Sequence, residues 1–484
     1  MERDLHWVTE AVKGRLLESE QGPGQVDLAL VVTDSREATE GSTYVARVGE
    51  QSDGHDYCAQ AAQNGATCLI VERPVQVGAA SQILVEDGTL ALGQLAQAHL
   101  RSLRDEGDIA VIGITGSAGK TTTKDLLGFA LSQFAPTVWP KLSYNNEVGC
   151  PITILKAQAD TRYLVLEMGA SAAGELDYLT DLAPLDVALV LMVGRAHLGG
   201  FGGTQELARA KAELVQGLVP TGIAVLNLDD PAISAMARYA PGRVFWFSVS
   251  GDAGADLWSQ DVHFDELQRA RFKLVDSKGS AEVRLGLVGE HQVSNALAAA
   301  SVMVAIGLEL GAVARALNGA RASSPHRMDV KELSLQFEDG RERVVTLVDD
   351  SYNANPDSMA AAFVAARALA GKGRLLMVLG SMLELGDETD QIHAEVGAKA
   401  LEAEPFAMVL LTGAERYLIS ADRGGDGELT AEVCASPVEA LRVLEDHLEQ
   451  GDTILVKGSN ASGAWQVADA LVDLSRNAAE GKTK

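Results

Sequence analysis

The stretch IAVIGITGSAGKTTTKDLLGFALSQF, residues 109–134, decides the fold of the chain around it. An apolar segment runs into a glycine-containing turn, and a helical pattern begins directly after the turn. Backbone N–H groups in such a turn, together with the N-terminus of the following helix, can surround phosphate oxygens. The stretch therefore predicts a strand, a phosphate-binding loop and a helix.

The turn in this stretch has the residue types of a nucleotide-binding loop. Its expected ATP-binding residues are Thr115, Gly116, Ser117, Ala118, Gly119, Lys120, Thr121 and Thr122. Ile114 stands where the strict Walker pattern begins with glycine, so the loop is a shortened version. The lysine is expected to reach the outer phosphates and the Thr121 hydroxyl to bind Mg²⁺. An ATP or GTP site is thus predicted.

The alternation of apolar strand, turn and helix recurs along the chain. In the middle it begins again at YLVLEMG (163–169), DVALVLMVG (186–194), GIAVLNL (222–228) and RVFWF (243–247). Later it begins at VVTLVDD (344–350), RLLMVLG (374–380), AMVLLTG (407–413) and DTILVKG (452–458). Such alternation is typical of mainly parallel sheets covered on both faces.

The fold prediction is an α/β protein of three domains. Residues 1–88 form a small N-terminal α/β domain, in which LALVVT (28–33) and TCLIVE (67–72) read as strands. Residues 89–322 form a central P-loop-type domain with a mainly parallel sheet and a connector helix at its start. Residues 323–484 form a C-terminal Rossmann-like domain.

Composition and charge exclude several classes of protein. The 484 residues include 67 acidic and 40 basic residues, for a net charge of −27, and 47% are hydrophobic. This excludes disorder and a nucleic-acid-binding surface. The start of the chain lacks a secretion signal, and the apolar run Leu185–Val193 is too short to cross a membrane. The four cysteines have no paired spacing, so we expect a cytoplasmic protein without disulfides.

Two further side chains are expected beside the phosphate loop. Glu167 ends the strand at 163–167, and His197 follows the strand that begins at 186. Parallel strands place their carboxyl ends at one edge of a sheet, so both can bind the metal of a nucleotide. The alternatives are a solvated glutamate and a histidine that serves packing or lies at the surface.

Lys211 occupies a core-facing position in the helical pattern from Thr204 to Leu218, on one stripe with Leu207 and Leu214. One interpretation is a side chain that extends its ammonium group to water. The other is a desolvated lysine with a lowered pKa, which can react with CO₂ to form a metal-binding carbamate.

Polar residues later in the chain suggest the rest of a nucleotide site. His291 and Asn295 lie one helical turn apart and can line an adenine ring. Arg327 can reach a γ-phosphate from a separate domain. The strand at 344–350 ends in two aspartates, of which Asp350 can bind ribose, although a structural Asx turn is the alternative.

Together these segments resemble the Mur ligases of bacterial cell-wall synthesis along essentially the whole chain. The motifs that carry the resemblance are TGSAGKTTTKDLL (115–127), YNNEVGCPITIL (144–155), ARAKAE (208–213), NLDDP (227–231), GEHQVSNALAA (289–299), HRMDV (326–330), DDSYNANPDSM (349–359), LGSMLELGDE (379–388) and LVKGSNASG (455–463). The segments DDSYNANP and LGSMLELG point to the dipeptide-adding branch. The resemblance implies an ATP-dependent ligase that adds D-alanyl-D-alanine to UDP-N-acetylmuramoyl-tripeptide through an acyl phosphate in peptidoglycan precursor synthesis.

The resemblance also implies a role for each matching residue. Ser35 and Arg36 would contact the uridine moiety, and Asn145 and Asn146 would lie near the reacting phosphoryl group. Thr121 and Glu167 would bind a first Mg²⁺, and His197 and carbamylated Lys211 a second. Asn295 would contact adenine, Arg327 the γ-phosphate, Asp350 ribose, and Tyr352, Asn353 and Asn355 the substrate. Asn460 stands where the resemblance leads us to expect arginine.

The domain roles follow from the same resemblance. The first domain would bind the UDP precursor, the second ATP, and the third would close over ATP and D-Ala-D-Ala. We expect a monomer that acts on small molecules and binds neither nucleic acid nor membrane. The alternatives are a sister ligase that adds a different amino acid, a folylpolyglutamate-synthase-like enzyme, and a nucleotide-gated binding protein that makes no bond.

Overall fold

The computed structural model describes residues 1–17, 24–49, 52–194, 203–320, 324–336, 342–423 and 430–479. Within these ranges the protein is α/β, with three main sheets that are each largely parallel. The predicted fold class is confirmed. None of the helices described is long and apolar enough to cross a membrane.

The N-terminal part contains a five-stranded sheet and a separate pair of short antiparallel strands. Its elements are β1 (Glu2–Asp4), α1 (Leu5–Ala11), β2 (Arg15–Leu17), β3 (Gln25–Asp27), β4 (Val31–Val32), β5 (Thr43–Val45), α2 (Cys58–Gln63), β6 (Cys68–Val71) and β7 (Ser81–Leu84). The sheet order is β2-β7-β6-β5-β4, and only β2 runs antiparallel to its neighbour. Strand β1 pairs with β3.

The central part is built on a nine-stranded sheet. Its elements are α3 (Gly88–Glu106), β8 (Ala110–Thr115), α4 (Lys120–Leu131), β9 (Thr137–Val138), α5 (Gly149–Leu155), β10 (Tyr163–Glu167), α6 (Glu175–Leu182), β11 (Leu185–Val190), α7 (Thr204–Gln216), β12 (Leu218–Asn227), α8 (Pro231–Ser234), β13 (Arg243–Ser248), β14 (Leu257–Phe264), β15 (Arg269–Asp276), β16 (Gly279–Val288), α9 (His291–Ala305) and α10 (Leu310–Leu317). The order is β16-β15-β14-β13-β12-β11-β8-β10-β9. Strands β8 to β14 pair parallel with one another, whereas β14 and β15 pair antiparallel.

The central strands are buried on both faces, as a parallel sheet between helices requires. In β10, Leu164 and Leu166 belong to one buried cluster and Val165 to another, because successive side chains point to opposite faces. The first cluster also contains Ile70 of the N-terminal sheet and Leu100 of α3. The N-terminal part therefore shares a continuous apolar core with one face of the central sheet.

The sheet edge formed by β14, β15 and β16 differs from the sequence expectation. The segment at 243–247 was predicted to open another strand-turn-helix unit, and this prediction is wrong. Strand β13 is followed by β14, and β15 and β16 then pair antiparallel. In β15, Ala270, Phe272 and Leu274 are buried while the residues between them are exposed, the alternation of a strand with one face in water.

The C-terminal part is a six-stranded sheet between helices. Its elements are β17 (Asp329–Gln336), β18 (Glu342–Asp350), α11 (Pro356–Ala370), β19 (Leu375–Leu379), α12 (Thr389–Glu402), β20 (Ala407–Leu411), β21 (Thr430–Cys434), α13 (Pro437–His447), β22 (Thr453–Lys457) and α14 (Ala464–Ala479). The order is β17-β18-β22-β19-β20-β21, and only β17 is antiparallel. The domain limits at residues 88 and 322 remain predictions.

Strand register brings the expected site residues to one edge of the central sheet. Glu167 at the end of β10 pairs with Ile114 of β8, and Val190 at the end of β11 pairs with Thr115. All three strands thus end at the level where the phosphate loop begins. In the C-terminal sheet, Asp350 of β18 pairs with Lys457 of β22. Both sheets present the carboxyl ends of parallel strands, where ligands bind in α/β folds.

The contact between α12 and the segment that follows β20 gives a stability prediction. Gly397 in α12 lies against the backbone of Tyr417, and a Cβ at residue 397 would overlap the Tyr417 carbonyl. We expect Gly397→Ala to lower the free energy of unfolding by about 1–3 kcal/mol through overpacking. Urea unfolding measures the change. Gly279→Ala is the control, because no atom lies within 4 Å of the added Cβ. Equal urea midpoints for the two variants would contradict the close contact between Gly397 and Tyr417.

Candidate active site

A cleft of about 770 Å³ opens between the central and C-terminal parts. Its volume is in the range of small-molecule sites. Most residues predicted for nucleotide, metal or substrate binding line it, namely Ser117, Ala118, Gly119, Lys120, Thr121, Thr122, Asn145, Glu167, Asn295, Arg327, Asp350, Tyr352, Asn353 and Asn355. Residues far apart in sequence are therefore brought to one cleft.

The phosphate loop has a backbone conformation that favours glycine at residue 119. Gly119 has φ of +82°, and a Cβ there would collide with Oδ1 of Asn295. Helix α4 begins directly afterwards, and no side chain caps its N-terminus. The first N–H groups of a helix need external acceptors. Phosphate oxygens can supply them.

Lys120 is held at the base of this loop. Its Nζ donates a hydrogen bond to the Gly116 carbonyl at 2.7 Å. Burial lowers the pKa of Lys120, nearby Glu167 opposes the shift, and the positive charge of Arg327 adds to it. An anion bound in the cleft would stabilise the protonated lysine, because it would offset both burial and the neighbouring cation.

Glu167 is fully buried, and only one of its oxygens is satisfied. Oε1 accepts hydrogen bonds from Ser143 Oγ at 2.6 Å and from Asn145 Nδ2 at 3.0 Å. Oε2 is buried with no hydrogen-bond partner among the described residues. Burying a carboxylate oxygen costs folding free energy unless a hydrogen-bond donor or a cation contacts it. With the Thr121 hydroxyl near by, this oxygen donor set fits Mg²⁺.

Ser143 connects the two expected magnesium ligands and was not predicted from the sequence. Its Oγ lies 3.2 Å from Thr121 Oγ1 and donates to Glu167. The residue directly precedes the YNN segment, but it lies in a loop whose path no periodicity indicates. The only signal available was its position next to that motif.

Lys211 lies in α7 with 2% of its surface exposed. Burial lowers its pKa well below the usual value, and the charge of Lys120 lowers it further. Within the part of the chain that the structure describes, no carboxylate forms an ion pair with it. Its slight exposure argues against an ammonium group that extends to water. The environment instead favours a neutral amine, which is the reactive form.

His197 lies outside the described residues. Its predicted metal-binding role therefore remains a prediction.

The start of α9 forms the wall predicted to contact adenine. Asn295 Nδ2 donates to Gln292 Oε1 at 2.8 Å, and its Oδ1 accepts from Thr123 Oγ1 at 3.3 Å. His291 also lines the cleft, and burial lowers the pKa of its ring. The neutral ring and the fixed amide make a polar but uncharged wall, which suits a nucleobase.

Arg327 reaches across from the C-terminal part to the phosphate loop. One terminal nitrogen donates to Thr121 Oγ1 at 3.2 Å, and the guanidinium lies over the Tyr352 ring at 4.3 Å. The stacked ring restricts the guanidinium plane. The arginine is thus positioned where an outer phosphate of a nucleotide in the loop would lie.

Asp350 is held by a lysine that the sequence did not identify as a site residue. Lys457 is 1% exposed, and its Nζ lies 2.5 Å from Asp350 Oδ2 and donates to the Asn353 carbonyl at 3.0 Å. Burial lowers the pKa of Lys457, and Asp350 opposes that shift. Lys457 ends β22, and β22 pairs with β18, but the sequence alone does not indicate that these two strands are neighbours. Asn460 also lines the cleft.

Comparison with known proteins decides the family. A model described as Mur ligase middle domain matches residues 114–303, one described as Mur ligase, glutamate ligase domain matches 326–460, and one described as Mur ligase family, catalytic domain matches 27–100. The chain is 40% identical over 476 residues to the UDP-N-acetylmuramoyl-tripeptide–D-alanyl-D-alanine ligase of Mycobacterium bovis, covering 91% of each chain. The chain belongs to the Mur ligase family.

Other Mur ligases match over nearly the full length. The ligase of the same name from Escherichia coli is 34% identical, covering 96% of this chain and 98% of its own. The crystal structure of MurF from Acinetobacter baumannii has a TM-score of 0.81 at 30% identity, covering 98% of this chain and 99% of its own. MurF from Thermotoga maritima in complex with ADP has a TM-score of 0.74 at 28% identity, covering 93% and 99%.

Three of the residues expected at the Mur ligase site do not line the cleft. Asn146 Oδ1 accepts from the N–H groups of Val148 and Gly149 at the start of α5, and the residue does not line the cleft. Thr115 lies within the buried end of β8. Arg36 is paired with Asp34 and has an 81% exposed side chain. Their predicted ligand contacts remain predictions.

Two further predicted site residues, Ser35 and Asn355, make structural hydrogen bonds. Ser35 is buried in the N-terminal part, and its Oγ donates to Gln60 Oε1 at 2.8 Å. Asn355 caps α11 in a capping box with Ser358. Its Nδ2 also reaches the Ser117 carbonyl at 3.4 Å. The cap therefore joins the C-terminal part to the phosphate loop.

The glycine at residue 119 gives a prediction for this Mur ligase. Gly119→Ala combines a disfavoured φ with a collision against Asn295, so we expect at least about ten-fold weaker ATP binding, measured by calorimetry. Gly307→Ala is the matched control, because its φ is +97° but no atom lies within 4 Å of the added Cβ. ATP binding unchanged by Gly119→Ala would contradict the assigned loop geometry.

Proposed function

We propose that this chain is the ATP-dependent ligase that joins D-alanyl-D-alanine to UDP-N-acetylmuramoyl-tripeptide in peptidoglycan precursor synthesis. The relatives that carry this name match over more than nine-tenths of the chain. The observation that supports catalysis is the contact of Arg327 with Thr121, since it brings a cation from a second unit to the phosphate loop. A binding protein that only senses ATP does not need this arrangement.

The reaction needs phosphate activation because a carboxylate is a poor electrophile. In the first step, a carboxylate oxygen of the peptide attacks the γ-phosphorus of ATP, the bond to the bridging oxygen breaks, and ADP leaves. In the second, the amine nitrogen of D-Ala-D-Ala attacks the acyl carbon, phosphate leaves with the bonding pair, and the amine loses a proton. Lys120 and Arg327 would offset the charge on the transferring group.

The metal ligands follow from the donors present. Thr121 and the unpartnered oxygen of Glu167 would hold one Mg²⁺, while His197 and carbamylated Lys211 would hold a second. When bound, the ions neutralise charge on phosphate oxygens. Carbamate formation would bond the neutral Lys211 nitrogen to the carbon of CO₂ with loss of one proton. Its burial beside Lys120 supports the neutral amine that this step needs.

The remaining walls suit the other substrates. Asn145, Tyr352, Asn353 and Asn355 line the cleft beside the phosphate loop, where the reacting carboxylate and the dipeptide would meet. Ser35 and Arg36 would contact the uridine end from the N-terminal part. The enzyme would act as a monomer. Its use of ATP fits a cytoplasmic enzyme.

Phosphate release tests this function. We expect ADP and phosphate only when ATP, UDP-N-acetylmuramoyl-tripeptide and D-Ala-D-Ala are all present, with the ligated product identified by mass spectrometry. Lys120→Ala should lower kcat by about 10³-fold or more, because it removes charge stabilisation of the transition state. Steady turnover without the dipeptide would favour a nucleotide switch. Product formation from a single amino acid instead of the dipeptide would favour a sister ligase.

The carbamate is tested separately. Lys211→Ala should lower kcat by about 10²-fold or more, with partial recovery when short-chain carboxylic acids replace the lost carboxylate. Lys273→Ala, which removes an exposed lysine, is the control. A carbamate signal by ¹³C NMR in ¹³CO₂-labelled protein, absent from the variant, is expected. Full activity of Lys211→Ala would refute the assignment.

A further inference from the structure

A buried ion pair lies directly behind the phosphate loop. Lys124 and Asp125 in the first turns of α4 are 0% and 1% exposed, and Lys124 Nζ lies 2.6 Å from Asp125 Oδ1. Neither residue lines the cleft or contacts the expected nucleotide site. Neither phosphate binding nor metal binding therefore accounts for the charges of this pair.

The pair makes contacts with two other segments of the chain. Lys124 Nζ donates to the Pro140 carbonyl at 2.6 Å and to Ser324 Oγ at 3.3 Å. Asp125 Oδ2 accepts the backbone N–H of Ser324 at 2.9 Å. Ser324 Oγ in turn donates to the Lys141 carbonyl at 3.0 Å. We call these residues, Lys124, Asp125, Pro140, Lys141 and Ser324, the linker knot.

The linker knot joins three segments that carry active-site residues. Helix α4 begins at Lys120, and the segment at 140–141 leads into the loop that carries Ser143 and Asn145. Ser324 precedes Arg327 by only three residues, which span at most about 11 Å of extended chain. Fixing Ser324 against α4 therefore limits where Arg327 can reach.

We propose that the linker knot is a positioning device, in which Lys124 and Asp125 hold Ser324 so that Arg327 meets the phosphate loop. This rests on the proposed function, in which Arg327 offsets charge on the transferring phosphoryl group. The positioning residues act through Arg327 and do not touch ATP. Misplacing a catalytic group by about 1 Å can cost about 10²-fold in rate, so a fixed linker has a direct kinetic effect.

Stability alone is a weak explanation for the ion pair. Replacing a buried pair by apolar residues of similar volume is often neutral or stabilising. What apolar residues cannot reproduce is the directed set of hydrogen bonds to Ser324 and to the Pro140 carbonyl. Geometry, and not the free energy of folding, is the property that the pair uniquely supplies.

A double-mutant cycle tests the proposal with the full chain and all substrates. Ser324→Ala should lower kcat about ten-fold with the KM for ATP changed less than about two-fold, because the loss is in the transition state. Arg327→Met should lower kcat further, and Ser324→Ala added to it should cause no additional loss. Multiplicative effects would overturn the proposal, since independent defects combine in that way.

The control is another buried serine, which lies outside the linker knot. Ser301 in α9 is 0% exposed, and its hydroxyl donates to the Leu297 carbonyl at 2.8 Å. Any loss caused by Ser301→Ala should multiply with that of Arg327→Met. If Ser301→Ala lowered kcat in the wild type but caused no further loss in the Arg327→Met background, the cycle would report general damage and the proposal would fail.

A second variant separates positioning from stability. Lys124→Met combined with Asp125→Leu should leave the thermal midpoint within a few degrees while lowering kcat at least about ten-fold. Wild-type kcat in a folded double variant would overturn the proposal. A wild-type enzyme without ligase activity would instead refute the proposed function, so the two failures are distinguishable.

Discussion

Positive charge gathered at the phosphate loop is the constraint on which the cleft depends. In a protein with a net charge of −27, burial lowers the pKa of both Lys120 and Lys211. The charge of Arg327 adds to the shift at Lys120, and the charge of Lys120 adds to the shift at Lys211. Glu167 opposes the shift at Lys120, so a carboxylate at the same sheet edge offsets part of the cost. A triphosphate bound at the loop would offset more of it, because its negative charge would stabilise protonated Lys120 beside Arg327.

The parallel sheet makes this arrangement possible. Because β8, β10 and β11 end at one level, the phosphate loop, Glu167 and the chain that leads towards α7 start from the same edge. Each strand is buried on both faces, so the close packing of its side chains fixes its position along the neighbouring strands. Shifting one strand by a residue would exchange its two faces, so the apolar core also specifies the register of the site.

Much of the site could be predicted because its signals are local or follow from the rule on strand ends. The loop at Lys120 is a contiguous motif, Glu167 closes an apolar strand, and Lys211 breaks a helical stripe. Ser143 and Lys457 were missed because loop paths and sheet order bring them to the site. Strands β14 to β16 were missed although β15 carries a local signal, since Arg269, Arg271 and Lys273 alternate with Ala270, Phe272 and Leu274 as in a strand with one face in water.

The central and C-terminal parts are joined at two places. Beside the cleft, Arg327 donates to Thr121 Oγ1 at 3.2 Å and Asn355 donates to the Ser117 carbonyl at 3.4 Å. At the linker, Ser324 contacts Asp125 at 2.9 Å and Lys124 at 3.3 Å, and both charged side chains are buried. Only three residues separate Ser324 from Arg327, so the two sets of contacts restrict the same short segment of chain. The alignment of Arg327 with the phosphate loop therefore depends on both sets.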